Sequence, residues 1–370
     1  MYWKRRRLFA REHVGGVETE VAISDVVLLA ALNEWTSPRA VQPAVSQKSA
    51  PDVRRSIERL VAMGLVERSD RAGTPEQQAI ASWESWSPEA TFFHFGTKGG
   101  THIPLEEATQ QLEVKRRLTG APDPLKQYVR GRRLELPPFD ATGALPDVLL
   151  ARRSWRRFGT QPIALRDLST LLGLTWGVQR WMSPAHGTRA PLKTSPSGGA
   201  CHSIEAYLLV QRVAGVERGV YHYCPDRHAL TRIQSTRSPA IAPLLRQPWF
   251  ARSAVAAVMT SVWGRVQWKY EFPRAYRTVL LEAGHFAQTF CLVATWLGLA
   301  PFCSGAFDDH AIESVLGIDG VREGVIYVTG VGARPRGTAW APWPEVDRTP
   351  TLSQPSYRKR HTAAAGRRRS

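Results

Sequence analysis

Arg152-Arg153-Ser154-Trp155-Arg156-Arg157-Phe158 places two arginines and a hydroxyl at alternate positions. In an extended backbone alternate side chains point the same way, so Arg152, Ser154 and Arg156 would share one face, with Arg153 between them. Guanidinium groups hold phosphate oxygens bidentately and a serine adds a donor, which suits a phosphate cradle. The plainer alternative is the solvated, charged start of a helix. Further along, Ser195-Pro196-Ser197-Gly198-Gly199 offers backbone with little side-chain bulk, fit to lie flat along a planar ligand. Such loops are also common without any ligand. Beyond it, Trp268-Lys269-Tyr270 precedes Glu282-Ala283-Gly284-His285. A lysine in apolar surroundings, or near another cation, can work as a base near neutral pH, and a neighbouring tyrosine can relay a proton. A surface lysine beside a packed tyrosine is the bland counterpart. Glu282 and His285, three apart, would share one helix face, and a satisfied core histidine is the plain reading of His285. At the far end, Gly330-Val331-Gly332-Ala333-Arg334-Pro335-Arg336 would let Arg334 or Arg336 reach the same phosphate, with Gly332 permitting close approach.

The surrounding pattern supplies the frame for these segments. Leu165 to Trp176 reads as a helix. Ile204 to Val213 and Gly219 to Tyr223 read as strands, and Pro225-Asp226-Arg227-His228 turns the chain into Ala229-Leu230. Ala254 to Ser261 is a third strand and Gly324 to Thr329 a last, buried one. Between them Tyr276 to Leu297 is the longest helix, with a broad apolar set that predicts burial on a wide face. Residues 146–340 therefore read as one α/β or α+β domain. No G-x-G-x-x-G opens a helix after a strand and no P-loop motif occurs, so a Rossmann nicotinamide site or a P-loop has no support.

Residues 18–72 read as a small helical unit. Val21 to Trp35 has helical apolar spacing. Ser49-Ala50-Pro51-Asp52 is a start signal for a helix over Asp52 to Met63 with Val53, Ile57, Leu60 and Val61 on one face, and Gly64 ends it. Leu65-Val66-Glu67-Arg68 would form a short strand or wing, giving a winged-helix-like pattern. Its third helix has three cations offset by two acids, which favours a packing or interaction module over a DNA reader. Residues 1–17 form a basic N-terminal segment. Residues 73–145 are a connecting region rich in Trp, Pro and Gly; Trp83, Trp86 and Phe92-Phe93-His94-Phe95 predict a segment that wraps a surface. Leu136-Pro137-Pro138 marks the boundary of the second domain.

Composition narrows the function classes. A chain of 370 residues with 43% hydrophobic residues can bury a substantial core, most simply as one large and one small domain. Its net charge of +17 invites a nucleic-acid reading, but ten of those charges stand in Lys4 to Arg7 and in a basic tail, expected to be disordered, within residues 341–370. No apolar run reaches the roughly 18 residues that span a bilayer, and no apolar segment follows the basic start as a secretory signal requires. Cys201, Cys224, Cys291 and Cys303 show no CxxC or zinc-type spacing and read as buried structural thiols in a reducing cytosol. No metal site is expected.

Taken in order and spacing, these motifs resemble the nitroreductase-like flavoproteins, and more narrowly the SagB-type azoline oxidases or dehydrogenases that finish thiazole- and oxazole-containing peptides. Arg-Arg-Ser-x-Arg-x-Phe is similar to the family's opening FMN motif, and Pro196 to His202 to its flavin-facing loop. Lys269-Tyr270 with Arg274, Tyr276-Arg277 and Glu282 to His285 resembles the signature of the azoline-oxidising branch. Gly298-Leu299 and Ser304 to Asp309 fit the segment that follows. Phe92-Phe93-His94 and a winged-helix-like N-terminal unit are also usual in that branch. The resemblance implies an α+β nitroreductase-like fold with a central, mostly antiparallel sheet flanked by helices. It implies that Arg152, Arg153, Ser154 and Arg156 hold FMN, with Arg334 or Arg336 closing on the phosphate. Ser195, Pro196, Ser197, Gly198 and Gly199 would lie along the flavin ring, Ser304 and Gly305 near its other edge, and Gln288 would hydrogen-bond the cofactor. Lys269 and Tyr270 would be the acid/base pair, and FMN would sit at a homodimer interface. The implied reaction removes a proton beside a carbonyl and a hydride from the adjacent ring carbon, aromatises the ring, and ends on oxygen. Implied partners are a peptide or carrier-bound azoline substrate and a biosynthetic enzyme such as a cyclodehydratase or synthetase, in the cytoplasm.

Three other readings stay open. One is a related FMN dehydrogenase or NAD(P)H-dependent nitroreductase acting on a carrier-bound or small molecule. Another is a peptide-binding partner whose flavin is structural. The last is a basic DNA-binding regulator using residues 18–72, which salt-sensitive duplex binding would reveal.

Overall fold

In the computed structural model the described residues are 1–4, 7–11, 18–32, 35–45, 49–70, 79–86, 89–98, 104–119, 142–183, 189–233 and 244–336. The Leu136-Pro137-Pro138 boundary and the basic tail lie outside them.

The chain opens with a three-stranded antiparallel sheet, β1 (Tyr2–Lys4), β2 (Arg7–Arg11) and β3 (Glu18–Glu20). Leu8 and Ala10 are buried together with Val21, a period-two pattern that the flanking basic residues obscure in the sequence. Three helices follow: α1 (Ile23–Ala31), the short α2 (Pro38–Val41) and α3 (Ala50–Ala62). Ser49 caps α3 by accepting from the Asp52 amide, with Pro51 in the first turn. Val53 and Leu60 then bury against Leu28, Val41 and Val45.

No wing forms at Leu65–Arg68: Leu65 and Val66 make a bend and Glu67 and Arg68 take no regular structure. Gly64 takes φ +71°, and the Leu65 amide donates to the Leu60 carbonyl, the hydrogen bond of a Schellman ending. Leu65 and Val66 are thereby folded back onto the helical cluster and do not extend into a strand. The sheet of this unit precedes its helices. Two of the three cations of α3 are engaged with acids: Arg59 pairs with the buried Asp25, and Arg55 lies 3.7 Å from Asp52.

The connecting region packs against the core. A 3-10 turn over Ala81–Trp86 and helix α4 (Glu89–Thr97) bring Trp83, Trp86, His94 and Phe95 against Trp263 and Tyr276. Trp83 Nε1 donates to the Val321 carbonyl at 2.8 Å and Trp86 Nε1 to the Tyr270 carbonyl at 2.9 Å. His94 Nδ1 lies 3.0 Å from the Tyr276 hydroxyl. Helices α5 (Leu105–Thr119) and α6 (Ala144–Ala151) follow.

The large domain is built on a six-stranded sheet, all of whose pairings are antiparallel. Its strands are β6 (Ile204–Val210), β7 (Gly219–Cys224), β8 (Ala229–Arg232), β9 (Val255–Val262), β10 (Ala300–Ser304) and β11 (Glu323–Gly332), in the order β10-β11-β9-β6-β7-β8. A small hairpin, β4 (Arg180–Met182) with β5 (Ala190–Leu192), stands apart from it. Helices α7 (Leu165–Thr175), α8 (Gly264–Gln267), α9 (Tyr276–Trp296) and α10 (Asp309–Leu316) complete the domain. Ile204, Ala206 and Leu208 of β6 join Val279, Ala283, Phe286 and Phe290 of α9 in one core. Leu209 of β6 and Val220 of β7 face the other side, with Phe250, Phe302 and Ile312. Among the described residues no helix is long and apolar enough to cross a membrane.

Two buried histidines give the fold an acid-sensitive term. Burial, reinforced by Lys98, pushes His94 down to about 3, and burial with Lys193 and Arg265 pushes His202 down to about 4. Both stay neutral in the folded chain at pH values where an unfolded histidine, titrating near about 6.5, takes up a proton. The unfolded state therefore binds more protons below that pH, and stability falls on acidification through the window from about 6.5 down to 4, by up to about 1.4 kcal/mol per pH unit for each group. Urea midpoints between pH 7.5 and 5 should follow this slope and flatten in His94→Gln; an unchanged slope in the variant would contradict it.

Candidate functional site

Arg152 leaves α6 in an extended conformation, and residues 153–158 continue without regular secondary structure. The Trp155 amide donates to the Pro301 carbonyl at 2.8 Å, which ties the segment to β10, and the Trp155 side chain is buried. Arg152 and Arg156 both bear electrostatically on Cys303, beside Ser304 at the end of β10, and the Arg156 guanidinium lies 5.7 Å from the Trp249 ring. Arg153 does not join them. Its Nη1 donates at 2.7 Å to the carbonyls of Leu150 and Arg152, satisfying the end of α6. Arg334 is engaged with protein: Nε donates to the Leu299 carbonyl at 3.1 Å, Nη2 to that of Thr295 at 3.3 Å, and the guanidinium stacks on Trp155. It thus closes the C-terminal end of α9 against residues 152–158, where a cation also suits the helix dipole. Arg336 is exposed, as is Gly305; the Ser304 hydroxyl accepts from the Ala306 amide.

The second segment is held from below by α9. Ser195 is buried, its hydroxyl 2.7 Å from Thr289 Oγ1. The Pro196 carbonyl accepts from His285 Nδ1 at 3.1 Å. The Ser197 hydroxyl donates to Glu282 Oε2 at 2.8 Å and accepts from the His202 amide at 3.0 Å. Glu282, 2% exposed, also accepts from the Ser203 and Ile204 amides. Burial pushes its carboxyl up, while these donors pull it back down. His285 is an exposed side chain gripping the loop, not a core histidine. Thr289 was missed in the sequence, although it lies seven residues after Glu282 and four after His285 on the same helix face, a spacing that carries the signal.

The lysine and tyrosine meet this loop at its crest. Lys269 Nζ donates to the Gly199 carbonyl at 2.9 Å. Gly199 has φ +62°, and Ala200 and His202 also lie at positive φ, so the loop holds backbone strain of the kind concentrated at functional sites. Arg265 Nη1 steadies it by donating to the His202 carbonyl at 3.0 Å. A Cβ added at Gly199 would stand 2.4 Å from Tyr270 Oη and 2.8 Å from Lys269 Nζ. These are the free ends of flexible side chains, so the variant folds but pushes both groups aside. Gly199→Ala is expected to lose roughly 10²-fold in kcat with an unfolding loss of only about 1–2 kcal/mol for the left-handed alanine. Full activity in that variant would show that this placement does not matter.

Lys269, Tyr270 and Ser195 to Gly199 are thus brought together over one face of α9, and Arg152 and Arg156 gather near Ser304. Gln288 is exposed on α9. The site has the features of a planar, phosphorylated group's cradle: a strained glycine loop whose surface a side chain would fill, and separate arginines off the helix and sheet. Of the four cysteines only Cys291 is fully buried; Cys201, Cys224 and Cys303 are partly exposed, so the expectation of four buried thiols is corrected. They sit at strand ends and loop edges, where a small side chain does not cover its own sulfur.

Comparison with known proteins agrees with this architecture. A nitroreductase of Methanocaldococcus jannaschii, so named, is 35% identical over 187 residues, which cover 50% of this chain and 89% of that protein. The trifolitoxin-processing protein TfxB of Rhizobium leguminosarum bv. trifolii is 35% identical over 136 residues, 34% of this chain and 36% of its own length. A chain of the Escherichia coli microcin synthetase McbBCD complex with truncated pro-MccB17 aligns over 82% of this chain and 99% of its own at 17% identity, with a TM-score of 0.46. The model of the nitroreductase family matches residues 149–333, from the end of α6 through the arginine segment, the sheet and α9 to the close of β11. That span is half of the chain and contains the arginine segment, the Ser195–Gly199 loop, Lys269-Tyr270 and α9, so the protein belongs to the nitroreductase family and is a nitroreductase-like flavin oxidoreductase.

Proposed function

We propose that this protein is an FMN-dependent, SagB-type azoline oxidase that converts thiazoline or oxazoline rings of a peptide or carrier-bound substrate into thiazoles or oxazoles, with O2 as the final electron acceptor. The observation that carries the reading is the Lys269–Tyr270 pair set on the crest of the Gly199 loop. A nitroreductase that only passes electrons needs no lysine there, whereas ring oxidation must also remove a carbon-bound proton. The similarity to TfxB, a protein named for trifolitoxin processing, supports a role in peptide maturation.

Arg152, Ser154 and Arg156 would hold the FMN phosphate, with Arg336 closing on it and Arg334 anchoring the backbone behind them. Ser195 to Gly199 would lie along the ring, with Gln288 and Ser304-Gly305 at its edges. Bound FMN supplies the acceptor for the hydride equivalent that leaves the ring carbon. The chain's own contribution is the proton. Lys269 Nζ takes the hydrogen made acidic by the neighbouring carbonyl, and the Tyr270 hydroxyl, on the same crest, orients the ring heteroatom or passes the proton on. Glu282 acts through Ser197 to hold the loop in its strained form. Aromatisation makes the step irreversible. The exposed face of α9 carries Leu281 at 61% and Trp296 at 59% exposure beside His285 and Gln288, and a second copy covering it would form the homodimer around two cofactors. The domain limits 18–72 and 146–340 and a partner cyclodehydratase belong to the same proposal.

The test is direct. Purified protein should show flavin absorbance, release FMN on heating in a ratio near one per chain, sediment as a dimer, and convert an azoline peptide to the azole with consumption of O2. A protein that takes up no FMN, or holds it but leaves azolines untouched, would overturn the reading. One competitor is an NAD(P)H-dependent reductase, and rapid reduction of the bound flavin by NAD(P)H would select it.

A further inference from the structure

The face of the sheet turned away from α9 carries a second cluster of chemistry, which touches the Gly199 loop only through Arg265, whose Nη1 also donates to the His202 carbonyl. His222 and Cys224 are two apart on β7 and so point to the same face. Their neighbour Val220 packs with Phe250 and Phe302, while Tyr221 and Tyr223 face the α9 side. Cys224 Sγ lies 3.8 Å from His222 Nδ1 and 3.2 Å from Thr231 Oγ1 on β8. Across the sheet on β6, Glu205 Oε2 is 2.7 Å from His222 Nε2, and Arg265 Nη1 reaches Glu205 Oε1 at 2.5 Å. Sulfur, imidazole, carboxylate and guanidinium therefore stand in one line, with each polar group engaged by the next.

We propose that Cys224 is a nucleophilic thiolate site, activated by His222 and Glu205, that takes soft sulfur electrophiles, namely small-molecule disulfides. Cys224 Sγ attacks one sulfur of the disulfide. A Cys224–S bond forms, the original S–S bond breaks, and the other half leaves as a thiolate, which the His222 imidazolium can protonate. Cys224 is oxidised and the departing half reduced, so no further oxidant enters.

The surroundings favour the charged pair from several sides. The Glu205 carboxylate, through its hydrogen bond, raises the imidazole of His222. The hydrogen bond from Thr231 comes first in lowering Cys224, and the His222 hydrogen bond and charge add to it; burial and Asp226 in the β7–β8 turn oppose them. Arg265 holds Glu205 from the far side. Tyr207 and Glu323 share this face one and three strands further on. Cys224 is partly exposed, so an electrophile can reach it. The other thiols differ. Burial raises Cys201. Cys291 is buried and raised by its hydrogen bond with Cys303. Cys303, held down to about 6 by that same bond, is the one competitor.

The experiment is the reaction of the full-length protein with 5,5′-dithiobis(2-nitrobenzoate) between pH 5.5 and 9.5, with mass mapping of the first cysteine modified. Cys224 should react first, with a midpoint below the roughly 8.5 of a free thiol. Cys224→Ser should abolish that phase. His222→Asn should slow it about tenfold at pH 7 and move its midpoint up by about one pH unit, and Thr231→Val, which leaves His222 in place, should move it in the same direction. Circular dichroism checks that each variant is folded. First modification at Cys303, or a Cys224 midpoint at the free-thiol value, or one unmoved in both variants, would overturn the proposal.

Discussion

Replacing Lys269 by alanine is expected to reduce kcat on an azoline peptide by roughly 10²–10⁴-fold, the usual weight of a positioned acid or base, while leaving the flavin bound. The reason is where the lysine sits. Its amide and that of Tyr270 both donate to the Val266 carbonyl, so the two side chains leave the short helix α8 in a fixed direction. Trp86 of the connecting region then locks the Tyr270 carbonyl. The amine donates to the Gly199 carbonyl, whereas the proposed phosphate-holding residues Arg152, Ser154 and Arg156 belong to the segment tied to β10 through Trp155. Flavin absorbance should therefore survive. Partial recovery by added alkylamines would distinguish a missing base from a disturbed loop. Tyr270→Phe should cost less, since it removes a relay and keeps the ring. Full azoline turnover by the alanine variant with FMN in place would show that another group takes the proton.

The largest effect on stability is expected from Lys98→Met. Lys98 follows α4 and reaches into the large domain, where Nζ donates at 2.8 Å to both oxygens of Glu313 on α10 and at 3.2 Å to the Gly320 carbonyl. The two side chains are 8% and 6% exposed. Burial pushes the Glu313 carboxyl up and Lys98 pulls it back, so removing the ammonium leaves a buried acid without its partner. Breaking one side of such a pair typically costs about 3–5 kcal/mol. The double variant Lys98→Met, Glu313→Leu removes both charges and should regain most of that loss. Chemical unfolding followed by tryptophan fluorescence would read both, because Trp83, Trp86 and Trp263 lie in the adjacent aromatic cluster. Equal stability of the single variant and the parent would show that the connecting region contributes little to the core.

Several of the sequence expectations depended on local spacing, and these agree with the structure. Leu165 to Trp176 is helical to within a residue, the Pro225–His228 turn joins two antiparallel strands, and Tyr276 begins the longest helix. Ser49, Pro51 and Gly64 bound α3 through capping geometry that lies within a few residues of each. Expectations failed where a distant partner or competing cue decided. The wing at Leu65–Arg68 gave way because Leu65 returns to the Leu60 carbonyl and, among the described residues, no strand pairs with it. The sheet of β1 to β3 was hidden by the basic residues that flank Leu8-Phe9-Ala10. Three cysteines proved partly exposed because burial depends on what covers a side chain, not on its own polarity.

The candidate site divides along the same line. Residue types and order alone were enough to pick out the arginine segment, the Ser195–Gly199 loop, the Lys269–Tyr270 pair and the helix behind them, because each is a short motif whose chemistry is carried by adjacent residues. What the sequence could not show is that Lys269 meets Gly199, seventy positions earlier, or that Glu282 holds Ser197 and Ile204. Nor could it show that Arg153 and Arg334 are engaged with carbonyls of the protein, or that Glu205, His222 and Cys224 converge across two strands. Those contacts arise from strand order and from the packing of α9 across the sheet, which bring residues far apart in the chain within hydrogen-bond distance. Local composition determines what each segment can do; the free energy of burying the shared core determines which segments meet.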